Sequence, residues 1–278
     1  MTKIVAYLGR EGSYSFIAAK KMINGQKYLG RNSFTDIISD IKKNKVDVGV
    51  LPIENSTTGS IYEVYDLLLN KDIEIVGEGI LKINHLLLAK KTTEERIIKR
   101  CYCQIEAWKQ CKLALFKRKI TPVFAEDTAL AVQNVSKDKN LDTSAIGNTY
   151  LAQKYKLKVI TDSIQIQKEN FTRFVALALH PPGGLALHLK NTKVTMIFSV
   201  LHKPGSLLRA LTPYAKYGLN LTKIELRPIL HKPWEYIFIV DFIVKNIDDL
   251  NKVVKEMIKT TRYLKILGVY QKGTVYEA

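Results

Sequence analysis

The sequence predicts an α/β fold for most of the chain and a separate β-α-β-β-α-β unit at its C-terminal end. Three observations carry this. Short apolar runs alternate with capped, amphipathic segments from Ile4 to Leu179, as expected of strands and helices that build mostly parallel sheets. His180-Pro181-Pro182-Gly183-Gly184 breaks the alternation and reads as a linker. Beyond the linker the order of periodic segments is that of a ferredoxin-like unit.

The elements follow in order. Residues 4–8 are an apolar run ended by Gly9, the first strand. Ser13 can cap a helix that runs to about Ile23, and Ser33 opens a second over 33–43 with Phe34, Ile37, Ile38 and Ile41 on one face. Residues 46–53 form a strand that leads into a loop at Asn55, and 64–69 are helical. Two apolar runs come next, 73–76 and 80–89. Helix and strand patterns then alternate over 105–116, 121–124, 128–135, 144–146, 149–155 and 159–160. Asn170-Phe171-Thr172-Arg173-Phe174 opens an apolar run that continues to Leu179, a buried strand with a hydroxyl and a permanent cation at its mouth. An Arg there serves either as an anion-binding fork or as a surface residue at a strand edge. After the linker, 193–201, 219–228, 235–244 and 266–270 are strands, and 205–217 and 248–259 are helices.

Bulk properties narrow the function classes. The 278 residues suit a large bilobal part plus a smaller domain. The net charge of +17 is spread along the chain: 13 Lys/Arg against 10 Asp/Glu in residues 1–92, 15 against 9 in 93–188 and 15 against 7 in 189–278. No basic stripe or nucleic-acid motif stands out, so no nucleic-acid partner is expected; a diffuse positive field still favours a small dianionic ligand. Cys101, Cys103 and Cys111 lack a fourth ligand at zinc spacing and imply no metal site. Three unpaired thiols suit a reducing cytoplasm. The N-terminal residues lack the core of a signal peptide, and no apolar stretch reaches the roughly 18 residues of a membrane span.

Two stretches then point to a family. Thr172-Arg173-Phe174, together with Pro52-Ile53-Glu54-Asn55-Ser56, resembles the motif pair of the prephenate dehydratase family. Tyr7-Leu8-Gly9-Arg10-Glu11-Gly12-Ser13-Tyr14-Ser15 is similar to the family's opening segment, with Arg10 where Pro is usual. Ile83-Asn84-His85-Leu86-Leu87, Glu126-Asp127-Thr128-Ala129 and Ser144-Ala145-Ile146 fall in the family's order. Cys103-Gln104-Ile105-Glu106-Ala107-Trp108-Lys109-Gln110-Cys111 departs from the usual Ser-His-Pro-Gln-Ala-Leu-x-Gln-Cys, keeping Gln110 and Cys111. The opening motif leaves no room ahead of it for a fused chorismate mutase.

The resemblance implies a two-lobed, periplasmic-binding-protein-like catalytic part over residues 1–182. Its first lobe would take about 1–78 and 164–182, and its second about 79–163. Residues 189–278 resemble an ACT regulatory domain. Lys203-Pro204-Gly205-Ser206-Leu207-Leu208 looks like its effector loop, and Glu225-Leu226-Arg227-Pro228 like its Glu-Ser-Arg-Pro motif with Leu226 for Ser. The implied activity is loss of carbon dioxide and water from prephenate, with no metal or organic cofactor. Thr172 would donate to the departing hydroxyl. Glu126 is either a second acid or a charge at a helix start. Arg173 would bind a substrate carboxylate or form a structural ion pair. Asn55, which could equally be a turn cap, would supply neutral donors with Ser56, Thr57 and Gln110, and Cys103 and Phe174 would touch substrate. Gly205, Ser206, Leu207, Leu208, Glu225 and Arg227 would bind phenylalanine as effector between subunits of a homodimer or homotetramer. Arogenate dehydratase and a non-catalytic small-molecule sensor remain the rival functions.

Overall fold

The computed structural model describes residues 3–24, 27–69, 72–179, 192–229 and 235–278. The expected linker at His180–Gly184 lies outside the described residues. The chain divides into two compact units, one of residues 1–67, 79–176 and 274–278 and the other of 68–78 and 177–273.

The first unit contains two sheets. One is built from β1 (Ile4–Leu8), β2 (Lys27–Arg31), β3 (Val48–Asn55) with its short partner β4 (Gly59–Ser60), the end of β5 (Ile73–Lys82), the start of β11 (Phe171–Leu179) and β16 (Thr274–Glu277). The order β11-β3-β1-β2 places β1 between two parallel partners, with Ile4 opposite Lys27 and Val5 opposite Val48. Helices α1 (Tyr14–Met22), α2 (Phe34–Lys42) and α3 (Tyr62–Leu68) belong to this lobe. Ile37, Ile38 and Ile41 bury one face of α2, and it packs so near β3 that a Cβ on Gly49 would come within 2.5 Å of Ile37. Val5, Tyr7, Phe16, Val50, Leu81 and Phe174 share the lobe's core.

The second sheet has the order β10-β6-β9-β7-β8. It comprises β6 (Leu86–Ala89), β7 (Arg100–Cys103), β8 (Thr121–Phe124), β9 (Thr143–Gly147) and β10 (Lys158–Thr161). Helices α4 (Ile105–Lys117), α5 (Thr128–Lys137) and α6 (Thr149–Lys154) flank it. This sheet is mixed rather than mostly parallel: β7 runs parallel to β8 and β9, whereas β6 runs antiparallel to β9 and β10. The chain enters the lobe at β6 and leaves it through β10, and these two strands pair side by side.

Helix starts follow the sequence signals. Ser13, Ser33, Asp127 and Asn148 each accept a hydrogen bond from a backbone N–H of the first turn of α1, α2, α5 and α6, satisfying donors that the helix itself cannot. Gly12 turns into α1 at φ +97°, and a Cβ there would come within 2.3 Å of Leu151 on α6, so the position requires glycine twice over.

The second unit contains β12 (Thr192–Ser199), α7 (Ser206–Lys216), β13 (Leu221–Pro228), β14 (Tyr236–Val244), α8 (Ile247–Thr260) and β15 (Tyr263–Gln271). Its strand order is β13-β14-β12-β15, extended by the first residues of β5, which meet β15 at Gly268. Met196, Phe198, Tyr214, Phe242, Leu250 and Met257 join the sheet to α7 and α8 in one core. A buried polar cluster lies in the same unit: Lys193 Nζ reaches Glu78 at 2.7 Å, and Thr195 Oγ1 donates to Asp241 at 2.7 Å. Pairing offsets part of the desolvation cost of these buried charges, and removing one partner would leave the other uncompensated.

Candidate functional site

A cavity of about 510 Å³ opens in the first unit. Its walls come from the end of β1 (Leu8), from β3 and its following loop (Pro52, Asn55, Thr58, Ile61), from the segment entering β6 (Ile83, His85) and from β11 (Thr172, Phe174). Four helices turn their N-terminal ends to it: Tyr14 and Ser15 of α1, Phe34 of α2, Gln104, Glu106, Ala107 and Gln110 at the start of α4, and Thr128 of α5. Helix N-termini carry partial positive charge and favour anions. No Lys or Arg is among the described lining residues. A smaller chamber of about 240 Å³ shares Thr58, Glu106 and Gln110 with the cleft and adds Thr57, Lys109 and Asn170.

One amide network crosses the cleft. Asn55 Oδ1 accepts the backbone N–H groups of Thr57 (2.9 Å) and Thr58 (3.1 Å) in a side-chain turn. The two hydrogens of Asn55 Nδ2 are shared among three acceptors, Asn170 Oδ1 (2.9 Å), Phe171 O (3.1 Å) and Thr172 Oγ1 (2.9 Å). Asn170 Nδ2 donates to Gln110 Oε1 (2.9 Å), and Gln110 Oε1 also lies 2.9 Å from His85 Nε2. Gln110 Nε2 reaches Thr57 Oγ1 at 3.4 Å. Thr172 therefore accepts through its oxygen and keeps its own proton to give. Asn55, Asn170, Thr172 and His85 are buried and Gln110 and Thr57 half-buried, so these groups hold one another in place, since each would lose its hydrogen bonds if displaced.

The sequence-based candidates divide into those at the cleft and those away from it. Thr172, Phe174, Asn55 and Gln110 line it, and Thr57 lines the adjoining chamber. Ser56 is exposed and exchanges hydrogen bonds with β11, its Oγ accepting from Phe171 N at 2.9 Å. Arg173 turns away. Successive side chains on a strand point to opposite faces, so with Thr172 and Phe174 at the cleft Arg173 sits on the other side, 3.0 Å from Glu54. Cys103 is fully buried in the core around α4 with Cys101 and Cys111, and Gln104, Glu106 and Ala107 present themselves to the cleft instead. Glu126 is 78% exposed and pairs with Arg10 at 3.2 Å. Asp127, not Glu126, caps α5 and holds Arg10 more closely at 2.7 Å.

Tyr14, His85, Gln104, Glu106, Thr128 and Asn170 also belong to these walls; the sequence placed them in the motif segments without giving any of them a role at the site. His85 carried the clearest available signal, a polar side chain at the head of the apolar run 86–89, where burial demands partners. Burial lowers its pKa to about 4 and keeps the ring neutral. The buried phenol of Tyr14 is held well above its ordinary value for the same reason.

The second unit has its own cavity of about 510 Å³, lined in part by His202, Lys203, Ser206, Leu207, Tyr236 and Phe238. Gly205 caps α7 at φ +75°. Ser206 is buried, and its Oγ accepts from Arg209 at 3.0 Å. Leu208 faces outward with 71% exposure. Glu225 and Arg227 stand on β13, the end strand of this unit's sheet, and neither lines the cavity; Glu225 pairs with Lys223 at 3.0 Å.

The chain resembles known proteins along nearly its whole length. Residues 5–182 match the family model for prephenate dehydratase. The prephenate dehydratase of Methanocaldococcus jannaschii is 35% identical over 276 residues, 97% of this chain and 98% of that protein. The bifunctional chorismate mutase/prephenate dehydratase of Escherichia coli is 32% identical over 281 residues, 98% of this chain and 71% of that protein. Among solved structures, a protein described as a novel type of quorum quenching acylase superposes with TM-score 0.86 at 24% identity, covering 98% of each chain. The prephenate dehydratase of Arthrobacter aurescens, solved in complex with L-Phe, gives 0.85 at 22% identity, covering 97% of this chain and 90% of that one. At such identity the superpositions establish the fold, and one fold carries more than one named chemistry.

Proposed function

The chain belongs to the prephenate dehydratase family, and from that premise we propose that the cleft of the first unit converts prephenate to phenylpyruvate. The ring carboxylate leaves as carbon dioxide, and its bonding pair enters the ring. The ring carbon–oxygen bond then breaks, and the departing hydroxide takes a proton and leaves as water. Aromaticity supplies the driving force. The observation that carries this reading is Thr172 at the cleft with its oxygen accepting from Asn55 at 2.9 Å, so that its proton is available to the leaving oxygen. A Thr hydroxyl is a weak acid and acts chiefly by hydrogen bonding to the developing charge.

Four helix starts and the Gln110 amide receive the two carboxylates and hold the ring in place, while Asn55, its NH2 group engaged by Asn170, Phe171 and Thr172, orients Thr172. Phe174 packs against the ring. With Arg173 engaged by Glu54, anion binding falls to the helix ends, and Arg173 supports the strand that presents Thr172. With Glu126 exposed beside Arg10, proton donation falls to Thr172. The two lobes of residues 1–182 act as a periplasmic-binding-protein-like clamp in a cytoplasmic enzyme.

Residues 189–278 serve as an ACT domain that reports phenylalanine. The β-α-β-β-α-β order and the cavity beside Ser206 and Leu207 support this, as does the L-Phe bound by the Arthrobacter protein. Glu225, Arg227 and Leu208, which stand off this cavity, complete the effector site from a second subunit of a homodimer or homotetramer.

Arogenate, which has an ammonium where prephenate has a ketone, is favoured by one feature: Glu106 brings a carboxylate to the cleft, 2.7 Å from Lys109. The deciding experiment supplies the full chain with prephenate or arogenate and follows phenylpyruvate and phenylalanine, with and without added phenylalanine. Turnover of prephenate that added phenylalanine alters is the expected result. A preference for arogenate transfers the assignment to that substrate. A folded protein that turns over neither substrate counts against the proposed reaction and favours the sensor reading.

A further inference from the structure

We infer that His85 is a positioning residue for this reaction and acts through Gln110. The inference rests on the proposed reaction for its kinetic part, and its geometry stands independently. The hydrogen-bond directions along the network can be read from one fixed end. Backbone N–H groups can only donate, so the N–H groups of Thr57 and Thr58 fix Asn55 Oδ1 as an acceptor. Asn55 Nδ2 then donates, and the atom it meets in Asn170 is the acceptor Oδ1. Asn170 Nδ2 donates in turn, and the atom it meets in Gln110 is Oε1. His85 Nε2 lies 2.9 Å from that same oxygen, and a contact between them requires Nε2 to carry the proton. His85 Nδ1 is left with its lone pair facing the Tyr14 hydroxyl at 3.2 Å.

Packing and backbone contacts hold the ring in this orientation. It is 3% exposed, and its own backbone N–H donates to Gln165 Oε1 at 2.9 Å. Tyr14 stands edge-on to it with ring centroids 5.5 Å apart, and the Tyr14 hydroxyl is itself tied to Asn84 O at 2.7 Å. The neutral state produced by burial agrees with a ring that carries a single N–H, the one on Nε2 facing Gln110 Oε1.

The consequence falls on Gln110. Its oxygen is held from two sides, by Asn170 and by His85, so its NH2 group must face Thr57 and the cleft. A Gln side chain with only one of these donors can turn its amide over and present an acceptor where a substrate carboxylate needs a donor. His85 thus sets the polarity of the cleft at Gln110 without having to touch the reacting atoms.

The test uses the full chain as wild type, His85→Phe, His85→Gln, Gln110→Ala and the double variant His85→Phe/Gln110→Ala, each checked for cooperative unfolding. His85→Phe is expected to lower kcat by roughly 10- to 100-fold, the scale of a misplaced contact. His85→Gln, which keeps an N–H donor, is expected to recover to within about threefold of wild type. In the Gln110→Ala background His85→Phe should cost almost nothing further, because contacting residues are not additive. An equal loss in both backgrounds, or a folded His85→Gln no better than His85→Phe, overturns the inference. A second readout needs no turnover: long-range 1H–15N correlation of the imidazole, identified by its loss in His85→Gln. It should find the proton on Nε2, and a proton on Nδ1 overturns the geometry. Wild-type protein inactive on either substrate counts against the proposed reaction, and the imidazole measurement still decides the His85–Gln110 contact.

Discussion

Replacing Thr172 with Val separates chemistry from stability at a single atom. Val keeps the branched shape that suits a strand and deletes only the hydroxyl. Structurally the loss is modest. Thr172 Oγ1 accepts one bond from Asn55 Nδ2, and that nitrogen retains Asn170 Oδ1 at 2.9 Å and Phe171 O at 3.1 Å. No donor is stranded, so the stability cost is about 1 kcal/mol. If the Thr172 proton assists departure of the ring hydroxyl, its removal lowers kcat by about 10²- to 10⁴-fold, equivalent to about 3–5 kcal/mol of transition-state stabilisation. The two magnitudes differ enough to be measured apart, by phenylpyruvate formation under saturating prephenate and by urea unfolding followed by circular dichroism. A Thr172→Val protein with kcat within about fivefold of wild type refutes the assigned role, whatever its stability. A protein that loses activity only in proportion to its unfolded fraction refutes it equally.

Three further outcomes are expected. Arg173→Lys keeps the charge but loses the Nη1 hydrogen bond to Glu54 Oε2; it should cost about 1 kcal/mol in denaturation and leave KM for prephenate within about threefold, while a tenfold rise in KM would return Arg173 to the substrate. His85 has a folded-state pKa near 4 against an ordinary 6.5, so between these values the unfolded chain binds the extra proton. Stability from this group is therefore complete above about pH 6.5 and lost as pH falls through 4, by about 3 kcal/mol. The difference between wild type and His85→Gln in unfolding free energy should trace that window, and a flat difference contradicts the buried neutral ring. Gly205→Ala forces a methyl group into φ +75° and within 3.0 Å of Arg209 Nη1, at a cost of about 1 kcal/mol. Calorimetry should find phenylalanine binding weakened several-fold, and unchanged affinity would detach the α7 start from the effector site.

Much of the fold was legible because its determinants are local. The caps Ser13, Ser33 and Asp127 sit where a hydroxyl or carboxylate can reach the next turn's N–H groups, and the apolar stripe of α2 repeats at helical spacing. The β-α-β-β-α-β order after the linker was readable for the same reason. Less was readable where strands are short and polar. β2 (Lys27–Arg31) and β7 (Arg100–Cys103) have too little alternation to stand out, and their pairing is decided by neighbours far away in the chain. The apolar stretches at 73–76 and 80–89 were expected as two separate runs. Instead β5 continues through Glu78 and Gly79, and the break comes at 83–85, because Glu78 is buried against Lys193 rather than exposed in a turn.

The candidate site shows the same division. By itself the sequence determined which chemical groups are available: a Thr beside an Arg, an Asn in a turn, a Gln on a helix, and the order of motifs that marks the family. Only the tertiary structure decided which of them meet. Asn55 and Thr172 lie 117 residues apart and share a 2.9 Å hydrogen bond. Strand alternation carried Arg173 to Glu54 and away from the cleft, core packing drew Cys103 inward, and solvent took Glu126. His85 became part of the network because the buried ring had to find partners, and those partners come from α1 and α4. Local propensity acts over a few residues and is written in the chain; the direction of a side chain is set by the sheet and helices packed around it, and these are contributed by distant parts of the sequence.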